Sequence, residues 1–134
     1  MTPDKALTRL KQLGNALQRM EEAIGLPHSD VRTDVLIQRF EFTTELFWKT
    51  LKAVLEMYGV DAPFPKIQLQ EAYKAGWIKD DALWIKILTD RNTSSHVYDE
   101  ATVREIAGRI PEYRDAMRDL YETLARIIAS YSKA

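Results

Sequence analysis

No cysteine occurs among the 134 residues. That excludes a disulfide framework and any thiolate metal site, and it is compatible with a reducing cytosol. Histidine is nearly as scarce, at two residues, and no Cys or acidic cluster stands beside His28 at metal-ligand spacing. His28 therefore reads as a loop or cap residue. No stretch approaches the roughly 18 apolar residues of a membrane helix, and the first residues, Met1-Thr-Pro-Asp-Lys, lack the apolar centre of a signal peptide. A soluble, cytoplasmic protein with no membrane partner is expected. Charge of one sign is lacking too. The formal net charge is -1, and basic and acidic residues are interspersed, so no global field points to nucleic acid or an anionic surface. Glycine-rich phosphate loops, H-E-x-x-H zinc motifs and G-x-S-x-G elbows are all missing. Neither a metal nor a cofactor is expected.

What is present is helical periodicity. With 46% hydrophobic and 29% charged residues, the length suits one globular domain over residues 1–134. Leu7, Leu10, Leu13, Leu17, Met20 and Ile24 recur at three- and four-residue spacing and predict a helix over 3–24. Gly25 to Asp30 supplies a stop, a proline and a new cap. The longest pattern runs from Val31 to Tyr58. Leu36, Phe40, Phe47, Leu51, Val54 and Tyr58 form its main apolar stripe, flanked by Val35, Phe42, Leu46 and Ala53 on one side and Ile37, Trp48 and Leu55 on the other. Only a narrow face stays polar, and on it Glu45 and Lys49 have the order of a helical ion pair. Such a helix must be surrounded by neighbours or covered by a second subunit. Glu41 lies at the seam of that polar face, where it can orient an arginine from elsewhere or form an ordinary ion pair.

Residues 59–65 hold glycine and two prolines and read as the main loop. A short helix over 66–75 is predicted next, then a helix from about Asp80 with aspartates at its positive end. A segment from Asp99 should stop at Gly108, and Pro111 suits the first turn of a last helix to about Tyr131. Strand alternation and internal repeats are absent. The fold class is all-α, an antiparallel bundle of four to five helices with short loops.

One stretch breaks the apolar pattern. Trp84, Ile87 and Leu88 form a stripe whose continuation falls on Arg91, Asn92 and Ser95. Buried polar groups without partners cost about 2–7 kcal/mol each, so this end should open into a cleft, a partner surface or an ordered network. Arg91 and His96 are about 140° apart on an ideal wheel, and they converge only if the helix frays near Ser94 or Ser95 or the arginine arches over. Converged, they suit phosphate chemistry. A guanidinium grips two phosphate oxygens, and an imidazole can take a proton from a ribose 2′-hydroxyl without a metal. Asn92 can hold the ring or the phosphate, and Tyr98 offers a phenol at the same mouth. The hydroxyls of Thr93, Ser94 and Ser95 have no activating base besides His96. Asp90, Asp99 and Glu100 flank the motif where caps and surface charges normally sit, which makes a two-metal site poorly supported. The alternative on chemistry alone is a structural helix-end network.

Arg91, Asn92, His96 and Tyr98, taken with Leu36–Lys52, Glu71–Gly76 and Leu83–Trp84, resemble the HEPN superfamily in its nucleotidyltransferase substrate-binding branch. The resemblance covers about residues 30 to 110. It implies a helical bundle that dimerises so that two Arg–His motifs line one cleft. It also implies a metal-independent endoribonuclease with Arg91 and His96 as its catalytic pair, beside which Asn92 and, from the helix pattern, Ser95 and Glu41 are the expected supporting residues. Family members of this kind act as the toxin of a toxin–antitoxin pair, beside a separate minimal nucleotidyltransferase that transfers AMP onto the residue matching Tyr98. The older reading of the family implies instead a non-catalytic nucleotide- or substrate-binding subunit of the transferase.

Overall fold

The computed structural model describes residues 3–96 and 99–133, and across them the chain forms five α-helices. They are α1 (Pro3–Ile24), α2 (Asp30–Met57), α3 (Pro65–Lys74), α4 (Asp81–Ser94) and α5 (Glu100–Lys133). No strand occurs among the described residues, and none of these helices is long and apolar enough to cross a membrane.

Each boundary has a local cause. The Ser29 side chain accepts from the Arg32 backbone N–H at 3.0 Å and starts α2, and Asp80 accepts from Leu83 N–H at 3.0 Å and starts α4. Pro65 sits at the first position of α3, where its missing N–H has no helical partner to lose. The C-termini of α2 and α3 close alike. Gly59 and Gly76 take φ of +75° and +79°, which lets the N–H of Val60 reach Leu55 O and that of Trp77 reach Ala72 O. A Cβ would strain that left-handed turn.

The buried set spans all five helices. Leu13, Leu17, Met20, Leu36, Phe40, Phe47, Leu51, Leu69, Ile87, Ile106, Ile110 and Tyr113 are wholly enclosed. Among the described residues α2 alone touches every other helix, as its wide apolar circumference requires. Phe47 and Trp48 meet Trp84 edge-on, with ring centroids at 5.3 and 6.3 Å, and this dock fixes α4 against α2. Burying a side chain of this kind contributes about 1.5–3 kcal/mol.

Three expectations change. Residues 100–133 are one helix, with Pro111 inside it rather than opening a new one. Pro111 is exposed while Ile106, Ala107, Ile110 and Tyr113 on either side of it are buried. Packing on both sides holds the helix through the lost hydrogen bond, and Gly108, with open space around it, does not end it. The buried stripes are also narrower than the periodicity predicts. Leu7, Phe42 and Tyr58 are 40%, 62% and 52% exposed, because each stands at the margin of a face already filled by its neighbours. Finally, the Glu45–Lys49 pair does not form, since Glu45 turns towards α4; Lys52–Glu56 at 3.5 Å is the four-residue pair on α2 instead.

Candidate functional site

Helix α4 is amphipathic only over its first half. Trp84 and Ile87 are buried, and at the helical spacing of three the next buried position is Asp90. Arg91, one step round, is half-buried, whereas Asn92 and Ser95 are exposed. The stripe expected to continue onto Arg91, Asn92 and Ser95 therefore ends on Asp90 and Arg91.

Asp90 is held from α5. Arg109 donates to both of its oxygens, Nε at 2.8 Å and Nη2 at 2.9 Å, and the Tyr113 hydroxyl donates to the same carboxylate. The Tyr113 ring stacks on Phe40 of α2 with centroids 6.0 Å apart, which ties α2, α4 and α5 at one point. Burial alone would push the Asp90 carboxyl up, but the hydrogen bonds from Arg109 and Tyr113, together with the Arg109 charge, hold it below its ordinary value. The hydrogen bond to Asp90 raises Arg109, and burial followed by the bond to Asp90 raises the Tyr113 phenol. Asp90 thus departs from the surface role expected of it. The signal was available in the four-residue step from Arg109 to Tyr113 and in the position of Asp90 three beyond Ile87. Asp99 does act as a cap, accepting from Ala101 N–H at 3.2 Å and Thr102 Oγ1 at 2.8 Å. Glu100 pairs with Arg104 at 3.7 Å on the surface.

The other side of α4 meets α2. Two glutamates one turn apart on α2 face it. Glu41 accepts from Ser94 Oγ at 2.6 Å, and Glu45 lies 4.0 Å from Arg91 Nη2. The carboxylate facing the motif arginine is Glu45, while Glu41 engages the serine three residues further on. Arg91 Nε is buried and has no hydrogen-bond partner among the described residues. Ser95 Oγ donates to the Asn92 carbonyl at 3.0 Å, an ordinary helix-end contact.

Beyond Ser94 the helix stops, and His96 N–H donates to Thr93 O at 3.0 Å. The His96 side chain is exposed and makes no hydrogen bond or ion pair among the described residues. Arg91 and His96 share one end of α4, the first leaning on α2 and the second open to solvent, with no hydrogen bond between them. Tyr98 lies outside the described residues. His28 is exposed in the turn between α1 and α2. Among the described residues no three His, Cys, Asp or Glu side chains gather as a metal site.

A family model described as "Nucleotidyltransferase substrate binding protein like" matches residues 8–126. None of the curated proteins matches the chain. Among solved structures, a crystal structure of a protein from Thermus thermophilus is similar with a TM-score of 0.78 and 34% identity, over 84% of this chain and 98% of that one. The family match takes in α2 and α4 whole, with the Arg91 and Glu45 that face each other across them, and on this extent the chain belongs to the nucleotidyltransferase substrate binding protein-like family.

Proposed function

We propose that this chain works beside a nucleotidyltransferase and that the end of α4 is a metal-independent RNA-cleaving site of the HEPN type. The observation that carries the reading is the pairing of a positioned arginine with a solvent-exposed imidazole: Arg91 is half-buried between α4 and α2, and His96 stands open at the same helix end. Arg91 binds the scissile phosphate and spreads its developing charge. His96 takes the proton of the ribose 2′-hydroxyl. The 2′-oxygen then bonds to phosphorus as the bond to the 5′-oxygen breaks, leaving a 2′,3′-cyclic phosphate, and a second imidazolium returns a proton to the departing 5′-oxygen. That second imidazole requires a second copy of the chain. Phe42, 62% exposed on α2 in a groove it shares with Ala16 and Arg19 of α1, is a large uncovered apolar ring and supports a homodimer that buries part of α2. Asn92 and Ser95 line the mouth.

In this reading the protein is the toxin of a toxin–antitoxin pair, and AMP placed on Tyr98 by the partner silences it. The anionic adenylyl group, two residues on from His96 in the sequence, would repel RNA phosphates. The test uses purified wild type, Arg91→Ala and His96→Ala with single-stranded RNA in excess chelator. Wild type should cleave, and each variant should lose at least about a hundredfold in rate. Intact RNA with the wild-type protein refutes the ribonuclease. With partner and ATP present, an adenylyl mass increment on wild type that is absent from Tyr98→Phe is the expected sign of control.

A second reading is favoured by one contact. Glu45 already faces Arg91 in the single chain, which suits an arginine that serves binding alone, as in a non-catalytic subunit that presents a nucleotide or substrate to the transferase. Tight nucleotide binding in calorimetry, without RNA cleavage, would select it.

A further inference from the structure

We infer that Glu45 is a displaceable guard of Arg91, which admits phosphate to the guanidinium and turns away carboxylates. The inference rests on the reading of Arg91 as a phosphate-binding group, though not on cleavage. Two α2 carboxylates face α4 and differ in how firmly they are held. Glu41 is locked, with Ser94 Oγ at 2.6 Å. Glu45 is loose: its side chain is 49% exposed and its nearest oxygen is 4.0 Å from Arg91 Nη2, the outer limit of an ion pair. An exposed pair of that length holds its partners weakly.

Arg91 is correspondingly under-satisfied. Its side chain is 23% exposed, so its place is set by packing rather than by Glu45, and its Nε finds no acceptor among the described residues. A guanidinium offers a planar fork, and a phosphate offers two oxygens that meet it in short charge-assisted bonds. Glu45 offers one long contact. Phosphate, which carries more negative charge than one carboxylate at about pH 7, therefore displaces it. Acetate has the same single charge and the same kind of oxygens as Glu45 without its tether, and gains little over the resident group. A receiver for the displaced side chain is at hand. Lys49, exposed and four residues on, is where Glu45 would go in the helical ion-pair order favoured on an isolated helix. Glu45 thus has two stations, Arg91 when the site is empty and Lys49 when it is filled.

The experiment follows the amide resonances of residues 92–96 during titration with inorganic phosphate and, separately, acetate. Proteins compared are wild type, Glu45→Gln, Asp34→Asn, Arg91→Ala and the Arg91→Ala/Glu45→Gln double variant. Glu45→Gln should bind phosphate about fivefold more tightly than wild type and should newly respond to acetate. Asp34→Asn, which removes an exposed charge about 16 Å along α2, should change neither, and the gain should vanish in the double variant. Equal phosphate affinity in wild type and Glu45→Gln overturns the guard, as does a gain that persists without Arg91, or no phosphate response in any protein. Loss of the ribonuclease reading looks different: RNA stays intact while the phosphate gain of Glu45→Gln remains.

Discussion

Asp90 and Arg91 are neighbours in sequence and opposites in environment. Asp90 points into the α4–α5 seam, where a bidentate arginine and a tyrosine saturate its oxygens. Arg91 points to the α2 side, where one loose carboxylate and an unmet Nε leave its bonding capacity unspent. A fully satisfied, buried network rigidifies a fold, and an under-satisfied cation at a helix end is free to take a ligand. The contrast separates what holds α4 in place from what α4 presents.

The largest expected effect breaks the firm side. Asp90→Asn leaves Arg109 without its carboxylate and should cost about 3 kcal/mol in urea unfolding. The same variant should also flatten the acid limb of stability. The folded carboxyl of Asp90 is lowered from 3.8, so its contribution is fully present above the ordinary value and drains away as pH falls through the folded one. Wild type should therefore lose more stability than Asp90→Asn on acidification from pH 5, and parallel losses would show that the network does not carry this charge. A smaller step is Tyr113→Phe. It keeps the ring on Phe40 and removes one hydrogen bond to the carboxylate, for about 1–2 kcal/mol by the same measurement. Smallest is His96→Ala, an exposed change that should stay within about 0.5 kcal/mol in thermal or urea unfolding while lowering the proposed RNA cleavage by at least about a hundredfold. A large stability loss there would place His96 with Asp90 rather than with Arg91.

The helices were legible because their causes are local. Ser29, Asp80, Gly59 and Gly76 each cap or end an element through atoms within a few residues, and the boundaries of α1, α2 and α3 fall within a residue of those expected. The break expected at Gly108 and Pro111 failed for a reason local rules do not contain. Ile106, Ala107, Ile110 and Tyr113 are buried by other helices, and that packing exceeds the preference of one proline. Glu45 shows the same limit. Its position four before Lys49 favours a pair on the helix surface, yet an arginine from another helix stands closer to its carboxylate.

By itself the sequence determined an all-α chain, the wide apolar girth of α2 and the presence of Arg91, Asn92, Ser95 and His96 at the polar end of α4, because helical period and capping act over three or four residues. Only the tertiary structure decided that Asp90 would be buried, that Glu41 would take Ser94 and that Glu45 would take Arg91. Those choices depend on which helix faces lie opposite one another, and packing of α2, α4 and α5 about Phe40, Phe47 and Trp84 sets that arrangement.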